Sequence, residues 1–258
     1  MNAVWCLGAM AHFGSLIAEV LDWPLFVECP IGDDIETVYI IGMYDAPDYD
    51  FTLDCTKKAR RRVISWCGSD VSALTRPEML PEATHLCETP AIQNELLAHG
   101  IEASIVMFPT RAHPKVTPLP DAPTISFYAG SDANKYGAAV VRFVMECIPE
   151  AQWHVYHLGQ HAPEQIEQVV DNSRVHVRFT RHDGASASCR EHLEGGRRVV
   201  ATTDLPHVKR VSLNDPVGIV KAVRAALRQD EPDLKAAGYY GVHNAAERFI
   251  REFEGAIA

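Results

Sequence analysis

RHDGASASCREHLEGGRRVVATTD, residues 181–204, is the stretch that decides how this chain folds. Asp183 precedes five residues with small side chains or none, and Glu191 follows eight positions after Asp183. Gly195, Gly196 and a β-branched run close the stretch, so it reads as a loop, a helix and a strand in succession. We predict a helix over 185–194, between strands at 175–179 and 198–202, as one repeat of an α/β fold.

The rest of the chain repeats this alternation of short apolar strands with helices. The first half predicts strands at 4–7, 25–28, 37–43, 63–66, 85–88 and 104–108, and helices at 15–21, 52–60 and 91–99. The second half predicts further strands at 124–128, 153–157 and 208–212, and helices at 136–147, 163–172 and 216–229. Apolar strands that alternate with helices favour parallel sheets covered on both faces.

The segment 107–123 contains five prolines, which exclude regular structure and favour a stiff, extended connection. We therefore expect a first Rossmann-like domain at 1–112, a linker at 113–123, and a second at 124–235. A C-terminal helix in 236–258 could pack back on the first domain. Two such α/β domains would face each other across a cleft, with ligand sites at the carboxyl ends of the strands.

Composition narrows the function classes. The 258 residues carry a net charge of −10, which disfavours non-specific binding to nucleic acid or anionic membranes. The basic run at 57–62 is interpreted as the solvated end of a helix or, alternatively, as a phosphate contact. Seven scattered cysteines without a CxxC pair indicate reduced thiols, and hence the cytoplasm, or the host cytoplasm for a viral protein. We expect no membrane span and no bound metal, although His154, His157 and His161 lie close in sequence.

The predicted helix start after Asp183 suits an anion. Unpaired N–H groups and a partial positive charge gather at a helix N-terminus, and Gly184, Ala185 and Ser186 leave that backbone accessible. If the segment is fully helical, Asp183 and Glu191 are roughly 12 Å apart along the axis. A bound diphosphate would then have a carboxylate on each side. The alternative is that Asp183 is an N-cap and Glu191 a solvated surface charge.

Three further βα connections could join such a site. Gly130 and Ser131 follow a strand, and Lys135 lies near the next predicted helix start, where a cation is unfavourable unless it meets an anion. Lys135 as a plain surface lysine is the alternative.

The loop from Gly8 to Gly14 follows the first strand and contains His12. Asp70 follows the strand at 63–66, where it could cap the next helix instead of taking part in chemistry.

The pattern of Asp183, seven residues, Glu191, Gly196 and the run Val199-Val200-Ala201-Thr202 resembles the GT-B glycosyltransferases of the retaining, nucleotide-sugar-dependent kind. The family's first acid is usually Glu, and relatives that read His-Asp-Gly share the Asp found here. Lys135 matches the lysine near the start of that family's second domain.

Residues 66–70 and 83–109 resemble segments of the family's first domain, so the likeness spans most of the chain, although only residues 183–202 are specific. The chain is short for the family and its first domain looks trimmed, as in compact phage enzymes of this fold.

This resemblance implies that Lys135 holds the donor diphosphate, that Asp183 and the following amides hold the sugar, that Glu191 holds the ribose, and that His12 lies near the sugar. The predicted catalytic residues are His12, Asp70 and Asp183. The predicted donor-binding residues are Gly8, Gly14, Gly130, Ser131, Lys135, Arg181, Gly184, Ala185, Ser186 and Glu191. No cofactor is implied beyond a UDP- or GDP-linked sugar as co-substrate, and no metal.

The expected function is transfer of a sugar to an acceptor hydroxyl with retention. The acceptor stays open among a glycan, a small molecule, a protein and modified DNA. One alternative is a phage enzyme that glycosylates hydroxymethylated DNA bases, with 60–62 on phosphate. Two others are a non-catalytic module that binds a nucleotide or sugar and a sugar-nucleotide epimerase.

Overall fold

A computed structural model describes residues 1–43, 46–72, 74, 82–110, 114–130, 133–157 and 162–257, with backbone alone at 46–48, 69 and 242–244. It contains two parallel sheets with helices between their strands, and this confirms the predicted α/β class with two Rossmann-like sheets.

The first sheet has six strands in the order β2-β1-β3-β4-β5-β6. Its strands are β1 Asn2–Cys6, β2 Leu25–Val27, β3 Thr37–Ile41, β4 Arg61–Trp66, β5 Thr84–Cys87 and β6 Ala103–Ile105. A short 3₁₀ turn at Gly8–Met10 leads into α1 Ala11–Leu21, and the later helices are α2 Ala46–Thr56, α3 Ser69–Ser72 and α4 Pro90–Ala98. Val4 of β1 aligns with Leu25 and Tyr39 on its two parallel neighbours.

The strand period of two explains why this sheet has a core on each face. Trp5 of β1 packs with Ile40 and Trp66 on one face. Val4 packs on the other face with Tyr39, in a cluster that includes Phe249 and Phe253 from the last helix of the chain.

The second sheet has five parallel strands in the order β11-β10-β9-β7-β8. Its strands are β7 Thr124–Gly130, β8 Gln152–His157, β9 Val175–Arg178, β10 Arg198–Ala201 and β11 Lys209–Arg210. The helices are α5 Ala138–Cys147, α6 Pro163–Asp171, α7 Ala187–Glu194, α8 Pro216–Leu227, α9 Leu234–Tyr240 and α10 Val242–Ile257.

The chain divides into two compact units, Met1–Pro109 with Ala246–Ala258, and Thr110–Ala245. The part of the proline-rich segment at 114–123 belongs to the second unit, where the fully buried Arg197 holds it. Arg197 donates from Nη1 to the Thr117 carbonyl at 2.7 Å and from Nε to the Val170 carbonyl at 2.9 Å. Those contacts anchor the segment to the C-terminal end of α6.

Four helix starts differ from the sequence prediction by two or more residues, and α2 begins at Ala46 instead of residue 52. The predicted start of α1 at residue 15 was wrong, because the 3₁₀ turn runs directly into a helix at Ala11. Gly137 has φ +87°, a left-handed conformation that delays α5 to Ala138. The Ser186 hydroxyl accepts the Cys189 N–H as an N-cap, so α7 starts at Ala187 instead of residue 185.

Two further observations concern helix hydrophobicity and the cysteines of the described residues. No described helix combines the length and apolar content needed to cross a membrane. All seven cysteines are free thiols.

Candidate functional site

The second sheet places the predicted donor residues at its topological switch point. After β7 the chain crosses to β8 on one side of that strand, whereas β9 and β10 follow on the other side. Ligands of open parallel sheets bind outside the carboxyl ends of strands at such a reversal. The loop after β7 carries Gly130 and Lys135, and the loop after β9 carries Asp183 and Ser186.

Asp183 forms a buried ion pair with Arg178, the last residue of β9. Arg178 Nη2 donates to Asp183 Oδ1 at 3.0 Å, Arg178 Nε donates to Oδ2, and the Thr180 hydroxyl donates to Oδ2 at 3.3 Å. The two charged side chains are 8% and 15% exposed. Burial lowers the pKa of Arg178, but the Asp183 charge outweighs burial and the net pKa lies above its usual value. Asp183 is therefore not the N-cap of α7, a place that Ser186 takes.

Two tyrosines cover the Arg178 guanidinium. Its central carbon lies 4.7 Å from the centroid of the Tyr136 ring and 5.8 Å from that of Tyr128. Gly130 has φ +58°, and a Cβ there would lie 2.0 Å from the Tyr136 ring. Gly130 is thus required both by its backbone conformation and by the close approach of Tyr136.

Glu191 lies in α7 and is 4% exposed. The interpretation of Glu191 as a solvated surface charge is therefore wrong. Burial and the neighbouring Tyr136 raise the pKa of Tyr128 to about 12, and the Glu191 charge adds to this rise. Burial and then Glu191 raise the pKa of Tyr156 well above its usual value. The Glu191 carboxylate therefore acts electrostatically on the tyrosines of β7 and β8.

Side chains from the next elements hold the loop before α7. The Thr202 hydroxyl donates to the Thr180 carbonyl at 2.6 Å, and the Thr203 hydroxyl donates to the Gly184 carbonyl at 3.3 Å. Arg190 Nε donates to the Ala185 carbonyl at 2.9 Å. These three hydrogen bonds stabilise the conformation of the loop.

The remaining donor residues of this unit lie at different depths. Gly184, Ala185 and Ser186 are buried, whereas Arg181 is exposed. Lys135 is exposed in the turn before α5 and does not lie within the helix. Ser131 lies outside the described residues.

In the first unit, Gly8, His12 and Gly14 follow β1, beside the switch between β1 and β3. The Gly8 amide donates to Glu28 Oε1 at 2.7 Å, and His12 is exposed on the first turn of α1, with its ring 4.0 Å from that of Phe13. The placement of Gly14 in a loop was wrong, because it lies inside α1. A Cβ at Gly14 would lie 2.6 Å from the Cys6 sulfur, so this glycine allows α1 to pack closely on β1.

Asp70 is fully buried and accepts backbone hydrogen bonds. The donors are the amides of Cys67 at 3.0 Å, Val71 at 3.1 Å and Met43 at 3.4 Å. Burial raises the pKa of Asp70 to about 6, although these hydrogen bonds oppose the rise. The geometry is that of a carboxylate that orders the loops after β3 and β4.

The sequence prediction missed Arg178 and the two tyrosines that cover it, Tyr128 and Tyr136. It also missed the stacked pair of buried histidines, His176 and His192. A signal for Arg178 was available, since a charge at the end of an apolar strand requires a partner and Asp183 follows five residues later. No group of three or more His, Cys, Asp or Glu that could hold a metal ion occurs in the described parts of the chain.

No protein-family model matches the sequence, and no curated protein matches it. Solved structures do match. Sucrose-phosphate synthase from Thermosynechococcus elongatus aligns with a TM-score of 0.67 at 12% identity, over 99% of this chain and 96% of that one. HepE from Anabaena, solved in complex with UDP and glucose, aligns with a TM-score of 0.65 at 10% identity, over 100% and 98% of the two chains.

A mutant of TarM from S. aureus, solved with fondaparinux, alpha-GlcNAc-glycerol and UDP, aligns with a TM-score of 0.59 at 10% identity. That alignment covers 85% of this chain and 55% of TarM, so the chain spans about half the length of TarM. The chain has the GT-B fold, which it shares with these structural neighbours, and two of the three were solved with UDP.

Proposed function

We propose that this protein is a glycosyltransferase that moves a sugar from a nucleotide donor to an acceptor hydroxyl, with retention and without a metal. The observation that carries the proposal is a pair of largely buried acids, one before the start of α7 and one within it. Asp183 lies in the loop after β9 and is oriented by Arg178, and Glu191 is buried in α7. The loop after β9 lies at the switch point of the second sheet. Burying a carboxylate costs free energy of folding, so two such acids, one of them at the sheet edge where ligands bind, favour a role in binding.

In this proposal the donor diphosphate lies at the first turn of α7, where backbone amides and the helix dipole favour an anion. Lys135, exposed in the turn after β7, would add a positive charge as the leaving diphosphate forms. Asp183 would accept hydrogen bonds from the transferred sugar, and Glu191 from the ribose. As the family resemblance implies, the departing phosphate would help to deprotonate the acceptor hydroxyl on the same face.

The donor is expected to be UDP- or GDP-linked, and two of the structural neighbours were solved with UDP. The acceptor class is left open by the geometry. Four further residues stay predicted members of the site: His12 and Asp70 in catalysis, and Gly8 and Arg181 in donor binding.

The test is titration of the purified protein with nucleoside diphosphates and nucleotide sugars, by calorimetry and thermal shift. A ligand that binds only the folded state adds about 2.7 kcal/mol of stability at a 100-fold excess over its Kd. We expect one nucleotide to bind. Glu191→Gln should lower the affinity for that nucleotide about tenfold or more. Glu231→Ala, at an exposed position, should leave the affinity unchanged. The Gln variant retains the side-chain volume, so a loss reports on charge.

Turnover separates the enzyme from the alternatives. With a bound donor identified, Lys135→Ala should abolish sugar transfer while the fold persists. Nucleotide binding without release of a sugar in any acceptor mixture would favour the non-catalytic module, and conversion of the sugar nucleotide without an acceptor would favour an epimerase. No binding across the panel would remove the proposal.

The basic run offers little support for the DNA alternative. Lys57 pairs with Asp54 at 2.7 Å, and Lys58 pairs with Asp33 at 2.9 Å. Arg60 pairs with Glu36 at 3.2 Å, and Arg61 donates to the Ile257 carbonyl at 2.5 Å. These charges are neutralised or engaged locally, as expected for a solvated segment after a helix, so an interface with phosphates would have to displace them.

A further inference from the structure

Beneath the first turn of α7, two histidines and two serines form a closed ring of hydrogen bonds. Ser126 comes from β7, His176 from β9, and Ser188 and His192 from α7. Ser126 Oγ lies 3.0 Å from His176 Nδ1 and 2.8 Å from His192 Nε2. Ser188 contributes its hydroxyl, 3.1 Å from His176 Nε2, and its carbonyl, 2.7 Å from His192 Nδ1. All four residues are at least nine-tenths buried.

The geometry fixes the direction of each hydrogen bond once His192 is neutral. A carbonyl only accepts, so His192 carries a proton on Nδ1 and its Nε2 must accept from the Ser126 hydroxyl. Ser126 then accepts from Nδ1–H of His176, which leaves Nε2 of His176 to accept from the Ser188 hydroxyl. Both imidazoles are therefore in the Nδ1–H tautomer.

The environment keeps both rings neutral. Burial lowers the pKa of His192 to about 4, with a further contribution from the positive charge of Arg197. Burial, the second imidazole and Arg178 lower the pKa of His176 well below its usual value. The rings stack with centroids 4.1 Å apart, and Tyr156 packs 6.3 Å from one and 6.5 Å from the other.

The ring continues to the N-cap of α7. Ser188 Oγ lies 3.0 Å from Ser186 Oγ, and since Ser188 donates to His176, Ser186 donates to Ser188. The Ser186 oxygen also accepts the Cys189 N–H at 3.4 Å. The state of the histidines thus determines how the hydroxyl at the start of α7 is oriented.

We propose that Ser126, His176, Ser188 and His192 act as positioning residues that hold the first turn of α7, through Ser186, in the orientation that receives a nucleotide diphosphate. The positioning role rests on the proposed function, whereas the ring and its tautomers do not. The four residues form a connected network, in which the Val175 carbonyl is a second, longer acceptor at 3.5 Å from Ser126 Oγ, and removal of one hydroxyl changes the partners left to the others.

Removal of the Ser126 hydroxyl makes a specific prediction. In Ser126→Ala, Nδ1–H of His176 loses its side-chain acceptor, so His176 should change to the Nε2–H tautomer and donate to Ser188. Ser188 would then donate to Ser186, whose own hydroxyl hydrogen loses its acceptor, so the Ser186 hydroxyl at the start of α7 would change its orientation. The matched control is Ser173→Ala, which removes another buried serine of the same unit, hydrogen-bonded to the Val169 carbonyl outside the ring.

The first readout is heteronuclear NMR of labelled histidine at pH 7, with signals assigned through His176→Gln and His192→Gln. We expect Nδ1–H tautomers at both positions in the wild type, a tautomer change at His176 in Ser126→Ala, and none in Ser173→Ala. An Nε2–H tautomer or a charged ring at either position in the wild type overturns the ring, whatever the protein binds.

The second readout is calorimetric affinity for UDP and GDP. Ser126→Ala should lower the affinity for the nucleotide about tenfold. Ser173→Ala should change that affinity by less than about twofold, even if the two variants lose similar amounts of stability. A changed tautomer with unchanged affinity overturns the positioning role. If the wild type binds neither nucleotide while the tautomers are as expected, the donor role falls with the proposed function and the ring stands.

Discussion

At the residue scale, the Arg178–Asp183 pair is the interaction on which the loop before α7 depends. The guanidinium is bound on one edge by the carboxylate and covered by Tyr136 and Tyr128. Removing one partner of a buried ion pair leaves the other charge desolvated without compensation. Arg178→Met should therefore cost about 3 kcal/mol in the free energy of unfolding, measured by urea denaturation.

Two variants distinguish the lost pair from lost packing. Arg178→Met with Asp183→Asn removes both charges and should be more stable than Arg178→Met alone, because no unpaired carboxylate remains. Arg142→Met, on the exposed surface of α5, should stay within about 0.5 kcal/mol of the wild type. Equal stability of the single and double variants would show that the pair contributes only through packing.

The sequence indicated Asp183 and Glu191 because the two acids are only eight positions apart. It could not show which side chains surround them in the fold. Arg178 is five residues from Asp183, and the pairing depends on the loop that returns its carboxylate to the strand end. The histidine ring joins Ser126 to residues 50 and 66 positions later, a separation at which no periodicity is visible. Burial of Glu191, which is 4% exposed, likewise arises from tertiary packing that its local sequence does not show.

At the element scale, the turn between β7 and α5 depends on Gly130. Gly130→Ala would force a left-handed φ on an alanine and place its Cβ 2.0 Å from the Tyr136 ring, which covers Arg178. We expect a loss of about 2 kcal/mol or more in unfolding free energy. The matched control is Gly238→Ala in α9, where an added Cβ meets no atom within 4 Å and helix propensity should give a neutral or stabilising change.

A Gly130→Ala protein as stable as the control would mean that Tyr136 moves away at little cost. Urea unfolding gives the stability, and near-ultraviolet circular dichroism reports whether the tyrosine cluster persists. Retained stability with a changed aromatic signal would identify a mobile Tyr136 and remove the steric argument for the glycine.

Elements were easier to predict than their ends. Every predicted strand is present, since runs such as Val63–Trp66 and Val199–Ala201 are mostly apolar, contain β-branched residues and are buried on both faces. Helix starts depend on single backbone conformations and contacts. The left-handed Gly137 delays α5, whereas Gly14 is accepted within α1 because Cys6 lies directly beneath it. The α9 helix has only seven residues, too few for a period to be recognised.

At the scale of the whole molecule, the chain does not divide at one point. The first 109 residues form a unit that also contains Ala246–Ala258, so the end of the chain completes a core begun at its start. The proline-rich segment indicated a boundary near residue 110, but the buried Arg197 that fixes residue 117 to the second unit could not be inferred from composition. Net charge and cysteine usage carry no information on how the end of the chain joins the first unit.

The return of α10 predicts that the stability of the first unit depends on residues far away in sequence. Phe249 and Phe253 are 0% and 1% exposed and pack with Tyr39 and Phe108 in the first unit. Phe249→Ala should cost about 3–4 kcal/mol there, through lost burial and a cavity. Hydrogen exchange with mass spectrometry should show faster exchange in β1 and β3, with peptides of β7 and β9 unchanged.

The control for that experiment is Phe143→Ala, because Phe143 is 39% exposed on α5 and its loss leaves no enclosed cavity. It should change exchange in neither sheet by more than local effects on α5. If Phe249→Ala raised exchange equally in both sheets, the two units would unfold as one cooperative body, and α10 would couple them. If it changed neither, the aromatic cluster would contribute nothing to the first core, although burial of a full phenyl ring makes that outcome hard to reconcile with the hydrophobic effect.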